Sequence, residues 1–229
     1  MNSMKEIPTI IKTSNLPRRQ FIRHAASAVA LWQVPGLFAE QLAVTPRSTE
    51  GPFYPDTLPL DTDNDLIVVN DATTPAVGEV TYLSGRVLDR SGQPVPNAVV
   101  EIWQCDAKGV YYHSGSGDAL KRRDTHFQCF GRFLTGNSGE YLFRTIKPVP
   151  YPGRTPHIHL KVKRGGKELL TTQCYIKGHP QNAQDGLWNR IKTPAQRDNV
   201  TLDFKPIQSE GFAQWSARFD VVLRRTPSA

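Results

Sequence analysis

The chain has little cysteine, no long apolar run and no internal repeat, and each shortage narrows what its 229 residues can do. Three cysteines, Cys105, Cys129 and Cys174, cannot all pair within one chain, and with no CxxC their spacing supports neither a zinc site nor a dense disulfide framework. They read as buried thiols, with one bridge in an oxidising compartment as the alternative. No stretch reaches the roughly 20 apolar residues that span a bilayer, so stable membrane insertion is not expected. Nothing repeats at a solenoid period, and no long segment carries helical periodicity. The formal charge of +7 would suit a nucleic-acid partner, yet five of the 28 basic side chains (Lys5, Lys12, Arg18, Arg19, Arg23) and only Glu6 of the 21 acids fall in residues 1–39. The remainder carries 23 basic and 20 acidic side chains, a net +3 without a phosphate-tracking stripe, so no nucleic-acid partner is expected. Lys161, Lys163, Arg164 and Lys167 do cluster, and read as a solvated strand end before an anion-attracting rim.

What is present begins with Pro17-Arg18-Arg19-Gln20-Phe21-Ile22-Arg23 and the mildly apolar Ala25–Ala39, which Pro35-Gly36 interrupts. Residues 1–39 resemble a twin-arginine signal peptide, which implies export of the folded protein to the periplasm or beyond. A basic helix of the folded domain is the competing reading. Residues 40–78 are proline-punctuated, through Thr49-Glu50-Gly51-Pro52-Phe53-Tyr54-Pro55 to the Asp-rich 61–65, and are expected to wrap over a core rather than form one. Within 79–229, strand signals fall at 79–88, 98–105, 131–135, 141–146, 157–164, 168–176, 200–204 and 215–223. Asp89–Gly92 reads as a turn. Arg164-Gly165-Gly166-Lys167 reads as a hairpin because Gly-Gly tolerates positive φ, Asn137-Ser138-Gly139 as a second hairpin loop, and 179–198 as an insertion with one helical turn. The pattern predicts an all-β fold, an antiparallel β-sandwich with an extended N-terminal segment and long loops.

Chemistry concentrates at His157-Ile158-His159. Strand alternation puts Ile158, Leu160 and Val162 on the core face and His157, His159, Lys161 and Lys163 on the other. Imidazoles two residues apart on a strand lie about 6.6 Å apart along the chain and can converge on one ion at about 2.1 Å, although an isolated HxH more often marks exposed, unliganded histidines. Tyr151 arrives nearby on the proline-stiffened 147–152, and Gly109-Val110-Tyr111-Tyr112-His113 offers a second phenol. Taken singly, each tyrosine reads as a core residue with a hydrogen-bonded hydroxyl. A phenol of pKa near 10 is a poor ligand at neutral pH unless a hard trivalent cation stabilises the phenolate. Two phenolates and a hydroxide balance Fe(III), and a catecholate dianion can replace the hydroxide and one phenolate with neutrality kept. An ortho-diphenol is therefore a natural substrate for such a centre.

Together, TEGPFYP (49–55), VEIWQCDAKGVYYH (100–113), GRFLT (131–135) and GEYLFRTIKPVPYPGRTPHIH (139–159) resemble the intradiol ring-cleavage dioxygenases, above all the protocatechuate 3,4-dioxygenase β subunits. The resemblance covers most of the chain after residue 45. It implies a prealbumin/transthyretin-like sandwich and a non-haem Fe(III) cofactor bound by Tyr111, Tyr151, His157 and His159, with Tyr151 and His159 axial. Tyr112 competes with Tyr111, and register with the family motif favours Tyr111. Arg154 matches the family arginine three residues before the first histidine and is implied to stabilise negative charge developing on the attacked ring, with a loop salt bridge as its alternative. Gln173 resembles the family's active-site glutamine, bonding either a reaction intermediate or the strand edge. The implied reaction joins a catechol-type aromatic and O2 to give a cis,cis-muconate-type diacid without an external reductant, Tyr151 leaving the metal and accepting a substrate proton. A homo-oligomer, or a hetero-oligomer with a related subunit, is implied as well.

Two departures bear on the substrate. Only Pro152-Gly153 separate Tyr151 from Arg154, where the protocatechuate enzymes usually carry a longer stretch, and the helical dimerisation segment of catechol 1,2-dioxygenases is missing. A more open mouth follows, with protocatechuate, catechol, hydroxyquinol and bulkier catechols all as candidates. Two rival readings compete. Gly85–Ala98 also resembles non-catalytic transthyretin-like modules exported for binding, which would not need Tyr111, Tyr151, Arg154 and both histidines together. A zinc or copper site on the same histidines lacks an Asp or Glu at third-ligand spacing.

Overall fold

Apolar residues at alternate positions set the strands, as in β1 (Val80–Leu88), where Tyr82 and its neighbours of like parity stay partly exposed while Leu83 and Val87 are buried. The structure is a computed structural model that describes residues 41–208 and 213–225, so the leader expected in 1–39 lies outside the described residues. After β1 come β2 (Val99–Trp103), β3 (Phe130–Leu134), β4 (Glu140–Ile146), β5 (His157–Arg164), β6 (Lys167–Ile176), β7 (Thr201–Leu202), β8 (Lys205–Ile207), β9 (Gln214–Arg218) and β10 (Val221–Val222). One five-stranded sheet holds β4, β1, β9, β8 and β10, and the other runs β3, β2, β5, β6, β7. Their facing sides meet in one apolar cluster, with Leu83, Val87, Phe143 and Ala217 against Val100, Ile102, Ile158, Leu160 and Val162. Burying each such aliphatic side chain stabilises the fold by about 1.5–3 kcal/mol.

The sandwich is mixed rather than wholly antiparallel. β1 pairs antiparallel with β4 but parallel with β9 and β10, and β7 runs parallel to β6. Parallel neighbours require a long crossover, and the chain between β1 and β9, which contains the whole second sheet, supplies it. β9 and β10 follow β1 in one register, Val80 opposite Gln214 and Val87 opposite Val221, interrupted at Phe219-Asp220. A Cβ on Gly85 would collide with the Phe219 carbonyl at that interruption, so only glycine fits there.

Arg164 pairs with Lys167 across a tight turn whose Gly165 and Gly166 have φ of 55° and 75°, the pair of positive values a type I′ hairpin requires. Asn137-Ser138-Gly139 does not close a hairpin. β3 pairs with β2 and β4 with β1, so this turn carries the chain from one sheet to the other, a distinction that turn chemistry alone does not encode. The 179–198 stretch holds a 3₁₀ turn (Pro180–Gln184) and two short helices, α1 (Gly186–Asn189) and α2 (Pro194–Asp198), rather than one turn. A kinked 3₁₀ segment, Ser114–Arg122, follows Tyr112, and Pro206 sits in the edge strand β8, where a missing N–H is tolerated. Residues 41–79 contain no regular strand and bond to both sheets, Thr45 N–H to Val222 O, Leu66 N–H to Arg144 O and Ser48 N–H to Thr171 O. Among the described residues no helix is long and apolar enough to cross a membrane. All three cysteines are free and buried.

Candidate metal centre

Every residue of β5 from His157 to Val162 is buried. Ile158, Leu160 and Val162 enter the core, so alternation sends His157, His159 and Lys161 to the outer face of the sheet. That face is covered rather than solvated: His157 and His159 are 1% and 2% exposed, closed over by the Phe53 segment, the Tyr111 loop and the Tyr151 loop. Strand register adds the flanks, with Trp103 of β2 and Gln173 of β6 on either side of His159, and Tyr175 opposite His157.

The two imidazoles turn the same edge toward one point. His157 Nδ1 donates to the Thr155 carbonyl at 2.7 Å, which fixes the tautomer and leaves the Nε2 lone pair free. That Nε2 lies 3.2 Å from His159 Nε2 and 3.4 Å from the Tyr111 hydroxyl. Burial, reinforced by the Arg154 charge, lowers the His157 pKa to about 4. Burial, then His157 and Arg154, pulls His159 well below its ordinary value, so both rings are neutral at pH 7 and present lone pairs. Burial pushes the Tyr111 phenol well above 10. Tyr112 turns away from this point, packing against the main core with the Arg123 guanidinium 4.8 Å above its ring.

Tyr151 and Arg154 are joined by a tight turn. The Arg154 N–H donates to the Tyr151 carbonyl at 2.9 Å, with Pro152 and then Gly153 (φ 80°) at the centre, the residues a type II turn favours. The turn sets the two side chains together, Arg154 Nη1 3.4 Å from the Tyr151 hydroxyl. Tyr151 is less buried than Tyr111; burial raises its pKa and Arg154 opposes the rise. Arg154 makes the salt bridge considered as its alternative role and reaches the centre as well. Its Nε donates to Asp185 Oδ2 at 2.7 Å and its Nη2 to Gln173 Oε1 at 2.6 Å. Burial works against its charge and the Asp185 carboxylate outweighs it, so its pKa lies above the ordinary value. Gln173 spends its amide within the protein, accepting also from the Tyr175 hydroxyl at 3.1 Å and donating to Thr49 O at 3.2 Å.

Several neighbours were not singled out by sequence reasoning. Phe53 stacks on Tyr111 (4.8 Å, 12°) and Trp103 on His159 (4.7 Å, 13°), and a Cβ on Gly51 would lie 3.4 Å from His159 Cε1. Trp103 was readable as the residue across from His159 once β2 and β5 are paired. Asp185 carried only a helix-cap signal, since its Oδ1 also accepts from the N–H groups of Leu187 and Trp188. Among the described residues no three His, Cys, Asp or Glu side chains converge, so a metal held by both histidines would have to draw any further protein ligands from the phenols; a zinc or copper site with a carboxylate has no third ligand here.

The family described as dioxygenase matches residues 49–225. The protocatechuate 3,4-dioxygenase beta chain of Burkholderia cepacia is 37% identical over 191 residues, covering 78% of this chain and 78% of the relative. The chain belongs to the intradiol ring-cleavage dioxygenase family. A hydroxyquinol 1,2-dioxygenase of Corynebacterium glutamicum is 27% identical to this dioxygenase over 78% of the chain, which spans 63% of that relative's length. Among solved structures, the dioxygenase domain of a carbohydrate-binding fusion protein from Streptomyces sp. SirexAA-E is 31% identical, with a TM-score of 0.59 over 80% of this chain and 99% of that one. Catechol 1,2-dioxygenase from Acinetobacter sp. ADP1 aligns at 25% identity with a TM-score of 0.61, over 90% of this chain and 67% of that one.

The dioxygenase's own residues fit a ferric ion. Nitrogens 3.2 Å apart are closer than two metal–nitrogen bonds of about 2.1 Å laid end to end, so one ion reaches both. Two neutral imidazoles and two phenols bring no fixed charge, and only a strongly positive ion makes a phenolate of a group as buried as Tyr111. A non-catalytic binding module is not favoured, because it gives no reason to bury these groups against one another.

Proposed function

We propose that the chain is a non-haem iron enzyme that uses O2 to cleave a catechol-type ring between its two hydroxylated carbons, yielding a cis,cis-muconate-type diacid. Both oxygen atoms enter the product, so no reductant is required. The observation that carries this reading is the convergence of His157 Nε2, His159 Nε2 and the Tyr111 hydroxyl beside the Tyr151–Arg154 turn. Tyr111, Tyr151, His157 and His159 would hold the metal. Ferric iron held there would supply Lewis acidity, stabilising phenolates and activating an ortho-diphenol toward oxygen.

The protein's part follows from its geometry. Tyr111, stacked on Phe53, would be the retained oxygen ligand, whereas Tyr151, on a turn that lines a cavity of about 420 Å³, would be the phenol that gives way to substrate. As a phenolate, Tyr151 Oη would accept a proton from a substrate hydroxyl, beside the guanidinium of Arg154 that stabilises negative charge at that spot. Asp185 and Gln173 fix the guanidinium, and Trp103 and Phe53 exclude water behind the ligands. The twin-arginine leader in 1–39 would deliver the folded, metal-loaded enzyme to the periplasm or beyond, and a related subunit is a further partner.

Iron-loaded protein should be reddish through tyrosinate-to-iron charge transfer and should consume O2 with a catechol. Tyr151→Phe should shift the visible band and lower turnover. Colourless protein after iron loading, or a band indifferent to Tyr151→Phe, would overturn the ligand assignment. Arg18→Lys with Arg19→Lys should retain the protein in the cytoplasm, and undiminished export refutes that route.

A further inference from the structure

We propose that the substrates are catechols carrying a flexible arm that ends in a carboxylate, and that the arm lies in a basic cavity beside the centre; this rests on the catechol-cleaving reading above. The cavity, of about 510 Å³, lies between residues 46–49, β6 and the chain from Leu187 to Lys192. Arg47, Arg190, Lys192 and Arg224 line it, and no Asp or Glu does. Arg47 is already engaged by Glu168 and the Leu169 carbonyl. Arg190, Lys192 and Arg224 are exposed and have no ion-pair partner among the described residues. Three uncompensated cations around one cavity attract an anion.

The rest of the lining mixes apolar side chains with uncharged polar ones such as Ser48, Thr172 and Gln196, and part of it is shared with the centre. Leu187, Ile191 and Val200 suit an aliphatic chain. Gln173 and Tyr175 belong to both places: Gln173 Oε1 holds Arg154, and the Tyr175 ring lies 6.2 Å from that of His157. The cavity thus begins one side chain away from a metal-site histidine. Its volume falls within the roughly 300–1,000 Å³ of small-molecule sites, far more than an inorganic anion fills. A ring at the centre, an arm crossing where Gln173 now bridges Arg154 and Thr49, and a carboxylate among the cations match this order of surfaces.

The test uses the full iron-loaded chain with 3-(3,4-dihydroxyphenyl)propanoate and its neutral counterpart 4-propylcatechol, and the Arg190→Ala/Arg224→Ala variant, whose thermal stability checks its fold. A carboxylate paired with arginine gains charge-assisted hydrogen bonds, so wild type should favour the acid about tenfold in kcat/KM, mostly through KM. The preference should fall toward unity in the variant and at high salt. Metal-free wild type should also bind 3-phenylpropanoate, which has no hydroxyls to chelate iron, more tightly than the variant. Equal kcat/KM for acid and neutral compound, or a preference that survives the variant, overturns the proposal. No ring cleavage at all, with 3-phenylpropanoate binding intact, overturns the catechol-cleaving reading instead and leaves the cavity an arylalkanoate site.

Discussion

Replacing Asp185 by alanine tests how the centre is braced, because this one carboxylate has no exposed surface on its side chain and accepts four hydrogen bonds. Oδ2 holds Arg154 Nε at 2.7 Å and the Thr155 N–H at 3.0 Å, and Oδ1 caps α1 through Leu187 and Trp188. Alanine strands the guanidinium, which is only 16% exposed. Breaking a buried pair by deleting one partner costs about 3–5 kcal/mol, and a lost cap about 1. Gln173 still holds the guanidinium and α1 is short, so the sum sits near the low end, about 4 kcal/mol. A domain of this size loses about 2–4 °C in Tm per kcal/mol, hence about 8–16 °C in a thermal melt. Asp185→Asn keeps one acceptor oxygen and should fall between the two.

Activity and pH supply independent readouts. Asp185 touches no metal-site ligand directly, so the variant should keep its iron and visible band while kcat drops through the unlocked Arg154. Burial raises the Asp185 pKa, but the Trp188 N–H, Arg154 and the Thr155 N–H outweigh it and hold the carboxyl below its ordinary value. A depressed carboxylate stabilises fully above its unfolded pKa, near 4, and loses that contribution as pH falls through the folded value. Below pH 4 the wild type should therefore lose stability more steeply than Asp185→Ala. A loss under about 1 kcal/mol, or Asn as damaging as Ala, would refute the reasoning.

Trp103→Leu removes the ring stacked on His159, whose Nδ1 has no hydrogen-bond partner among the described residues, so iron should dissociate faster, measured by chelator competition, while Trp103→Phe retains most of it. Gly153→Ala meets no neighbouring atom but forces an alanine to φ 80°, which should cost about 1–2 kcal/mol and blur the Tyr151 band. Burial pushes the Cys105 thiol up to about 12 and raises Cys129 and Cys174 as well, so iodoacetamide at pH 8 should label none of the three in the native protein.

The strands were legible because apolar alternation is local: β5 begins and ends where its pattern does, and Gly165-Gly166 announces its hairpin. Partner choice was not. Whether Gly139 closes a hairpin or crosses between sheets depends on β2, about 40 residues away, and β1, more than 50 away, and the parallel return of β9 leaves no local mark. At the site, the His157–His159 spacing and the two-residue separation of Tyr151 from Arg154 could be read directly, and the structure adds that Pro152-Gly153 close a turn there. Gly51, Phe53 and Asp185 could not be assigned roles, because their contacts are made across the fold by segments with no periodic pattern of their own.

Two separate apolar clusters imply that the centre can loosen without the fold. The main core lies between the sheets, whereas Trp103, Cys105, Tyr111 and Phe130 form a second cluster on the outer face, joined by Phe53, Tyr54 and Tyr151. Without a cation, the two imidazoles can share only one proton across their 3.2 Å gap, and the buried Tyr111 stays protonated. The energy tying the 49–54 segment to the sheet then rests on its own contacts, the Glu50–Lys161 ion pair, the Tyr54 hydroxyl on Glu101 at 3.0 Å, and the stacked Phe53. Iron held by the proposed ligands would bind the closed arrangement and stabilise it by mass action, without touching β1 or β4. Hydrogen exchange should therefore speed up at residues 51–54 and 151–155 when iron is removed, while the amides shared by β1 and β4 keep their protection. Loss of protection throughout both sheets would mean that the metal holds the fold itself, and identical exchange in the two states would mean that the histidines and phenols are not its ligands.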